Sequence, residues 1–242
     1  MGWFFVFITV DFKRLVKIAI VVALICASIV FVKLFVSDGG IKSALSQNDG
    51  LTLVIDPGHG GIDGGAIAES GVKESDINLA IALKTEALSH FLGIDTVMTR
   101  TTDTDNSGDG KYSEHDNLVK RAELANSTEN AVLISIHQNK FPSTVVTGAE
   151  VMYADDDDSK ALGLITQDNL VALLDTSNRR VARPAPGELL LTSSVNCPAI
   201  LVECGFMSNP QEAQKLASDA YQLKIAAILT GSYIQYLNTA QA

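Results

Sequence analysis

The chain has 242 residues, 47% of them hydrophobic, 19% charged and 6% aromatic, with a formal net charge of −10. That mix excludes a disordered or fibrous chain, and the three cysteines, Cys26, Cys197 and Cys204, do not make a disulfide framework. Residues 1–38 hold four basic and two acidic side chains, which leaves a formal charge of −12 on the rest and argues against nucleic acid and anionic lipid headgroups as partners.

Residues 18–32 run without a charge, and with Lys17 and Lys33 snorkelling the stretch 15–36 matches the roughly 20 residues needed to cross a bilayer as a helix. Lys13, Arg14 and Lys17 precede it, while Asp38 and two glycines follow. This bias predicts a short cytoplasmic N-terminus at 1–14 and a domain on the outer side of the membrane. No small-x-small cleavage site follows the run, so the reading is an uncleaved transmembrane anchor, with a cleaved signal sequence as the rival. Residues 37–50 are rich in Ser, Asn, Asp and Gly and read as a linker to a catalytic domain at 51–238.

From residue 51 apolar strand-like runs alternate with longer amphipathic stretches. The pattern predicts an α/β fold, a single domain with a twisted, mainly parallel sheet flanked by helices on both faces. Strands are expected at 51–55, 95–98, 131–136, 149–153, 189–192 and 199–202, with helices near 114–125, 159–174 and 221–237. Ile77, Ala80, Ile81, Leu88 and Phe91 recur at helical spacing, with Asp76 as N-cap and Gly93 as stop. Residues 101–111 read as a long polar loop, and Asn209-Pro210-Gln211-Glu212 reads as a helix start, with a cap, a proline at the first helical position and an acid three residues after the cap.

In open α/β sheets ligands bind beyond the carboxyl ends of the strands. His59 follows the first strand in Asp56-Pro57-Gly58-His59-Gly60-Gly61, His137 ends the strand at 131–136, and Glu203 ends the strand at 199–202. Two imidazoles and a carboxylate on one rim have the composition of a catalytic zinc site, which needs a further protein ligand and one position for water. The acids near His59 are Asp56, Asp63, Glu69, Glu74 and Asp76, and spacing does not choose among them; Glu74, just ahead of the first helix, is the most reachable. Glu203 has a structural reading too, as a carboxylate paired with Arg100 or Arg121. The glycines around His59 do not make a dinucleotide loop, because Asp63 stands where the third glycine of G-x-G-x-x-G belongs. His90 near a helix end and His115 beside Glu114 and Asp116 have no matching partner for a site, and the acidic run at 155–158 reads as a solvated turn with N-cap character. Cys197 and Cys204 flank one strand too far apart to pair, and Cys204, beside Glu203, is expected to confer sensitivity to thiol reagents.

Taken together, Val54-Ile55-Asp56-Pro57-Gly58-His59-Gly60-Gly61, Lys73-Glu74-Ser75-Asp76, Met98-Thr99-Arg100, Arg121 with Ala125-Asn126, Ser135-Ile136-His137-Gln138-Asn139 and 201–210 carry a resemblance. The chain resembles the zinc-dependent N-acetylmuramoyl-L-alanine amidases (amidase type 3) that cleave bacterial peptidoglycan. The resemblance implies that His59, Glu74 and His137 bind Zn2+, that Glu203 serves the bound water, and that the scissile bond joins the lactyl group of N-acetylmuramic acid to L-alanine. Residues 103–112, Asn139-Lys140-Phe141-Pro142-Ser143 and the single anchor look more like the spore-cortex, germination-specific amidases than the division amidases. The inserted acidic helix that plugs many division amidases has no counterpart between 153 and 189. That subgroup implies muramic δ-lactam formation together with a peptidoglycan deacetylase, and a deacetylase or an activator protein as partner in the pathway. Two other readings stay open: a zinc carboxypeptidase acting on the stem peptide, although H-E-x-x-H is absent, and a catalytically silent wall-binding protein.

Overall fold

The structure, a computed structural model, describes residues 50–107, 112–187 and 190–239. The expected anchor at 15–36, the N-terminus before it and the linker up to residue 49 lie outside the described residues. Among those described, no helix is long and apolar enough to cross a membrane.

The elements in chain order are β1 (Thr52–Pro57), α1 (Glu74–Phe91), β2 (Thr96–Met98), α2 (Glu114–Ser127), β3 (Ala131–Asn139), β4 (Glu150–Tyr153), α3 (Asp157–Asn169) with a π-helical turn at Leu170–Leu174, β5 (Arg183–Pro184), α4 (Leu190–Ser194), β6 (Ala199–Phe206), α5 (Pro210–Leu216) and α6 (Asp219–Thr239). They form one sheet in the order β2-β1-β3-β6-β4-β5. β2, β1, β3 and β6 run parallel, as expected, but β4 is antiparallel to β6 and β5 is parallel to β4. The sheet is therefore mixed. The short link from β3 to β4 carries no helix, and a parallel return would have needed a crossover of a dozen residues or more.

Both faces are covered. Leu53, Ile55, Val132, Ile134, Ile136, Ile200 and Val202 share one buried cluster with Ile77 and Ile81 of α1 and with Ile225, Leu229 and Tyr233 of α6. Val54, Leu133 and Ala199 meet Ala122 and Ala125 of α2 and Leu191 of α4 on the other face. Alternate residues of the central strands thus point to opposite helical layers, so these strands read as unbroken apolar runs.

Several boundaries move, each for a local reason. β1 runs on through Asp56 and Pro57, because the buried Asp56 carboxyl is paired rather than solvated. β3 continues to Asn139 and β6 to Phe206, so His137 and Glu203 lie inside their strands, with a register irregularity between His137 and Asn139. α1 starts at Glu74 with Lys73 at the cap position, and Asp76 sits in its first turn, where an acid also suits the helix dipole. Gly93 takes the left-handed conformation (φ 75°) that ends the helix. The strand expected at 189–192 is corrected: Leu190–Ser194 is helical, since a short leucine run has no periodicity to separate a strand from a buried helical turn. Asn209 caps α5 by accepting from Gln211 N and Glu212 N, while Glu212 reaches outward and accepts from Phe206 N and Gly148 N.

Candidate metal centre

The first strand delivers a turn that is held by its own carbonyls. Arg121 of α2, 1% exposed, donates from Nη1 to Asp56 Oδ1 at 2.7 Å and to Pro57 O at 2.8 Å, and from Nη2 to His59 O at 2.6 Å. Arg100 donates to Pro57 O at 2.9 Å and to Gly58 O at 3.0 Å. Thr99 and Ser135 hydroxyls donate to the two oxygens of Asp56, each at 2.6 Å. Burial alone would raise the Asp56 pKa, but the Arg121 guanidinium and these two hydroxyls hold it below the ordinary carboxylate value. The clamp turns three successive carbonyls inward and leaves the His59 ring facing the rim. It also fixes His59 at φ 59°, a left-handed conformation that costs a non-glycine residue on the order of 1 kcal/mol.

Glycines clear the space around the ring. A Cβ on Gly58 would lie 2.2 Å from the His137 imidazole, and one on Gly65 would lie 2.6 Å from Glu74 Oε2 and 2.7 Å from His59. The close packing of three polar side chains is what demands glycine here, not phosphate.

His59 Nε2 lies 3.3 Å from Glu74 Oε1, and His137 Nδ1 lies 3.1 Å from the same oxygen. One ligand atom from each of the three residues falls within 4.8 Å of the others. Atoms about 2.1 Å from one ion at tetrahedral angles are about 3.4 Å apart, so the set fits a zinc-sized cation. The surroundings of Glu74 support that fit. Its Oε1 is also approached by Gln138 N at 3.0 Å and Asn78 Nδ2 at 3.3 Å, giving four nitrogens on an oxygen with two lone pairs. A cation between the imidazoles and the carboxylate relieves that crowding. Ala66 N donates to Oε2 at 2.8 Å and fixes the carboxylate plane. Burial opposes ionisation of Glu74, but His137 and His59 lower its pKa far below the ordinary value.

Asp63 accepts from His59 Nδ1 at 2.7 Å and is itself braced by Gly65 N at 3.0 Å and Tyr112 OH at 3.1 Å. A carboxylate on Nδ1 sets the tautomer that leaves Nε2 free to face Glu74 and His137. Burial would lower the His59 pKa, but Glu74 and Asp63 outweigh it and push it up to about 9. Of the five acids near His59, the structure brings Glu74 to the ring's Nε2 and Asp63 to its Nδ1, and assigns Asp56 to the arginine clamp. Glu69 and Asp76 are not in the group of converging ligand atoms.

Glu203 pairs in register with His137, on the same face of the sheet. Burial pushes its pKa up to about 7; His137 opposes the rise and Glu74 adds to it. Its Oε2 is buried with no hydrogen-bond partner among the described residues. The structural reading fails, since Arg121 is spent on Asp56 and the β1 carbonyls, and Arg100 on Pro57, Gly58, Ser75 and Thr102 carbonyls. Directly across β6 stands Glu150 of β4, half hidden beside Glu203, which sequence reasoning missed because one acid at a strand start gives no signal.

These groups open into a cleft of about 290 Å³, lined by His59, Asp63, Glu114, Leu191, Leu201 and Glu203 among others. A wider hollow of about 590 Å³, over 154–158 and 192–198, gathers acids but no imidazole. Elsewhere the bland readings hold: His90 Nε2 meets Thr96 Oγ1 at 2.7 Å, and Asp156 caps α3 by accepting from Ser159 N. Cys197 and Cys204 are free thiols. Cys204 is 1% exposed and its pKa is driven far up by burial, which corrects the expectation of a reactive thiol.

Comparison with known proteins agrees with this geometry. A family model described as N-acetylmuramoyl-L-alanine amidase matches residues 53–232. The germination-specific N-acetylmuramoyl-L-alanine amidase of Bacillus subtilis (strain 168) is 33% identical over 192 residues, covering 77% of this chain and 80% of the relative. Among solved structures, the CwlD amidase from Clostridioides difficile in complex with the GerS lipoprotein superposes with a TM-score of 0.74 at 35% identity, covering 78% of this chain and 99% of that one. The N-acetylmuramoyl-L-alanine amidase from Clostridium difficile 630 gives a TM-score of 0.69 at 34% identity, covering 78% and 97%. With two imidazoles and a carboxylate converging beside a buried, unpaired acid, and with this family matched over most of its length, the chain belongs to the N-acetylmuramoyl-L-alanine amidases, hydrolases of peptidoglycan.

Proposed function

We propose that this amidase is zinc-dependent, that His59, Glu74 and His137 are its metal ligands, and that Glu203 is its general base and acid. The observation that carries the reading is the pairing of Glu203 with His137 in the strand register, its Oε2 buried and unpartnered next to the three converging ligand atoms. Bound zinc would supply Lewis-acid polarisation of the scissile carbonyl and ease deprotonation of water. Glu203 takes one proton from the attacking water, while the hydroxide oxygen bonds to the lactyl carbonyl carbon. The same carboxyl then gives that proton to the departing amine as the carbon–nitrogen bond breaks, leaving a free lactyl acid and an L-alanine amino terminus. Burial favours the protonated form of this carboxyl and a nearby cation favours the ionised one, a balance that suits both halves of that exchange. The arginine clamp and Asp63 hold the His59 ring, and Asn78 and Gln138 hold Glu74, so little reorganisation is needed when the amide arrives.

The finer assignment is a role in spore-cortex maturation, with muramic δ-lactam formed in concert with a peptidoglycan deacetylase. The Bacillus relative named germination-specific supports it. So does α3, the helix between β4 and β5, which packs on β4 and α6 rather than standing over the cleft. The GerS lipoprotein on the CwlD amidase supports an activator partner for this chain as well. Residues 15–36 would anchor the chain with its catalytic domain on the outer side of the membrane, a reading that the flanking charges support.

Mass spectrometry of digested peptidoglycan tests the chemistry. The purified protein is expected to contain one zinc and to release intact stem peptides with L-alanine amino termini. Shortened stems would point to a carboxypeptidase, and no cleavage to a wall binder. Cleavage of the surface-exposed domain by added protease in intact membranes of the proper orientation tests the topology; protection there would reverse it.

A further inference from the structure

Of the arginines after Arg14, Arg100 and Arg121 serve the buried clamp, and Arg179, Arg180 and Arg183 all sit at the β4–β5 edge. In a domain with a large excess of acids, that concentration of cations calls for a reason. The register places it relative to the chemistry. His137 is paired with Glu203, Glu203 with Glu150, and Met152, two residues along from Glu150, with Arg183. Register partners and residues two apart on a strand share a face, so His137, Glu203, Glu150 and Arg183 project from the same side of the sheet. Neighbouring strands are about 4.8 Å apart, which puts β4 roughly 10 Å from β3.

Arg180 and Arg183 each contact Glu150, at 3.4 and 3.3 Å, distances longer than a well-formed charged hydrogen bond. Arg180 is also tied by Nε to Thr147 O at 3.1 Å and lies over the Phe206 ring at 4.7 Å, which fixes its plane. Two guanidiniums share one carboxylate, and Arg183 is 44% exposed, so one positive charge and several N–H donors face outward.

We propose that Arg180 and Arg183 form a subsite for a free carboxylate of the stem peptide, the α-carboxyl of the residue that follows L-alanine. The proposal rests on the reading of His59, Glu74, His137 and Glu203 as the reaction centre. Once its lactyl carboxyl is locked in the scissile amide, muramic acid carries no charge, so a cationic subsite beside Glu203 reads the peptide side of the bond. The γ-linked glutamate at the second stem position leaves its α-carboxyl one residue from the scissile nitrogen, a reach of one to two strand spacings. The cleft around His59 and Glu203 is lined by Asp63 and Glu114, which repel that carboxylate and favour a stem directed toward β4. Glu150 is the positioning residue that holds the two guanidiniums side by side.

The test uses the full zinc-loaded chain and two muropeptides that differ only in the second stem residue, glutamate with a free α-carboxyl or its amide. Wild type is expected to favour the free acid in kcat/KM by about five- to tenfold, with the preference eroded by added salt. The double variant Arg180→Gln with Arg183→Gln is expected to bring the preference to about twofold or less, the loss carried by KM for the acid. Arg183→Lys, which keeps the charge, should retain most of the preference. Equal rates on both substrates in the wild type, or equal losses on both in the double variant with a fall in Tm, would overturn the subsite while leaving the amidase reading intact. Undiminished cleavage by Glu203→Gln on the same substrates would instead overturn the reading beneath it.

Discussion

Behind His59 the buried polar atoms are matched to one another. Asp56 and Arg121, each 1% exposed, pair at 2.7 Å, and Thr99, Ser135, Arg100 and Asn117 complete the set. Beside Glu203, one strand from His137, the reverse holds: the carboxyl is buried, one oxygen has no partner among the described residues, and its register partner on β4 is another acid, Glu150. The contrast separates two uses of buried charge. A paired and hydrogen-bonded cluster fixes a backbone turn, whereas an unpaired acid is unstable where it sits and is free to exchange a proton.

Breaking the second region should have the largest consequence for turnover. Glu203→Gln is expected to keep the bound metal, by elemental analysis, and to lose about 10²- to 10⁴-fold in kcat. Retained turnover would mean that another group moves the proton. Breaking the first region should instead be felt in folding. Arg121→Ala leaves Asp56 buried without its counterion and is expected to cost about 3–5 kcal/mol in urea unfolding. Arg121→Lys, which keeps a charge but cannot fork to the Asp56 carboxylate and the His59 carbonyl, should fall between.

A smaller cut lies at the junction of the two regions. Asp63→Asn is expected to weaken zinc binding about 10- to 100-fold in chelator competition while shifting Tm little, since Asp63 is 26% exposed in its side chain. Unchanged zinc affinity would leave Asp63 as a loop brace only. The metal-free protein sharpens the comparison through pH. Glu203 has a folded pKa of about 7 against an ordinary 4.5, so between these values the native state keeps a proton that the unfolded chain releases. Stability from this group therefore falls as pH rises from 4.5 to 7, by about 3 kcal/mol, and is level above. His59, raised from 6.5 to about 9, loses its contribution in a later window, between 6.5 and 9. The stability of Glu203→Gln relative to wild type, measured with chelator present, should climb across the first window and then stay flat. The smallest effect is expected from thiol reagents, which should leave native Cys204 unlabelled and activity unchanged.

Much of the candidate site was legible because its residues sit in places that local rules mark. His59 lies in a proline- and glycine-punctuated turn after an apolar run, and His137 and Glu203 are polar interruptions of such runs. Glu74 was only the most reachable of five acids until the resemblance singled it out, and the structure brings it to both imidazoles while sending Asp63 to the back of one. That choice depends on where α1 begins and how the loop before it closes, which spacing along the chain does not encode.

The sequence by itself determined the layered α/β architecture, most element positions, the glycine turn and the chemical type of the rim residues, because these follow from periodicity, punctuation and the cost of an unpaired charge in an apolar strand. Only the tertiary structure decided that β4 and β5 reverse direction, that 190–194 is helical, that Arg121 belongs to Asp56 rather than to Glu203, and that Glu150, in register with Glu203, carries two arginines. Each of these turns on which distant segments share a register or a counterion. Such partners lie tens to more than a hundred residues apart, and only packing brings them together.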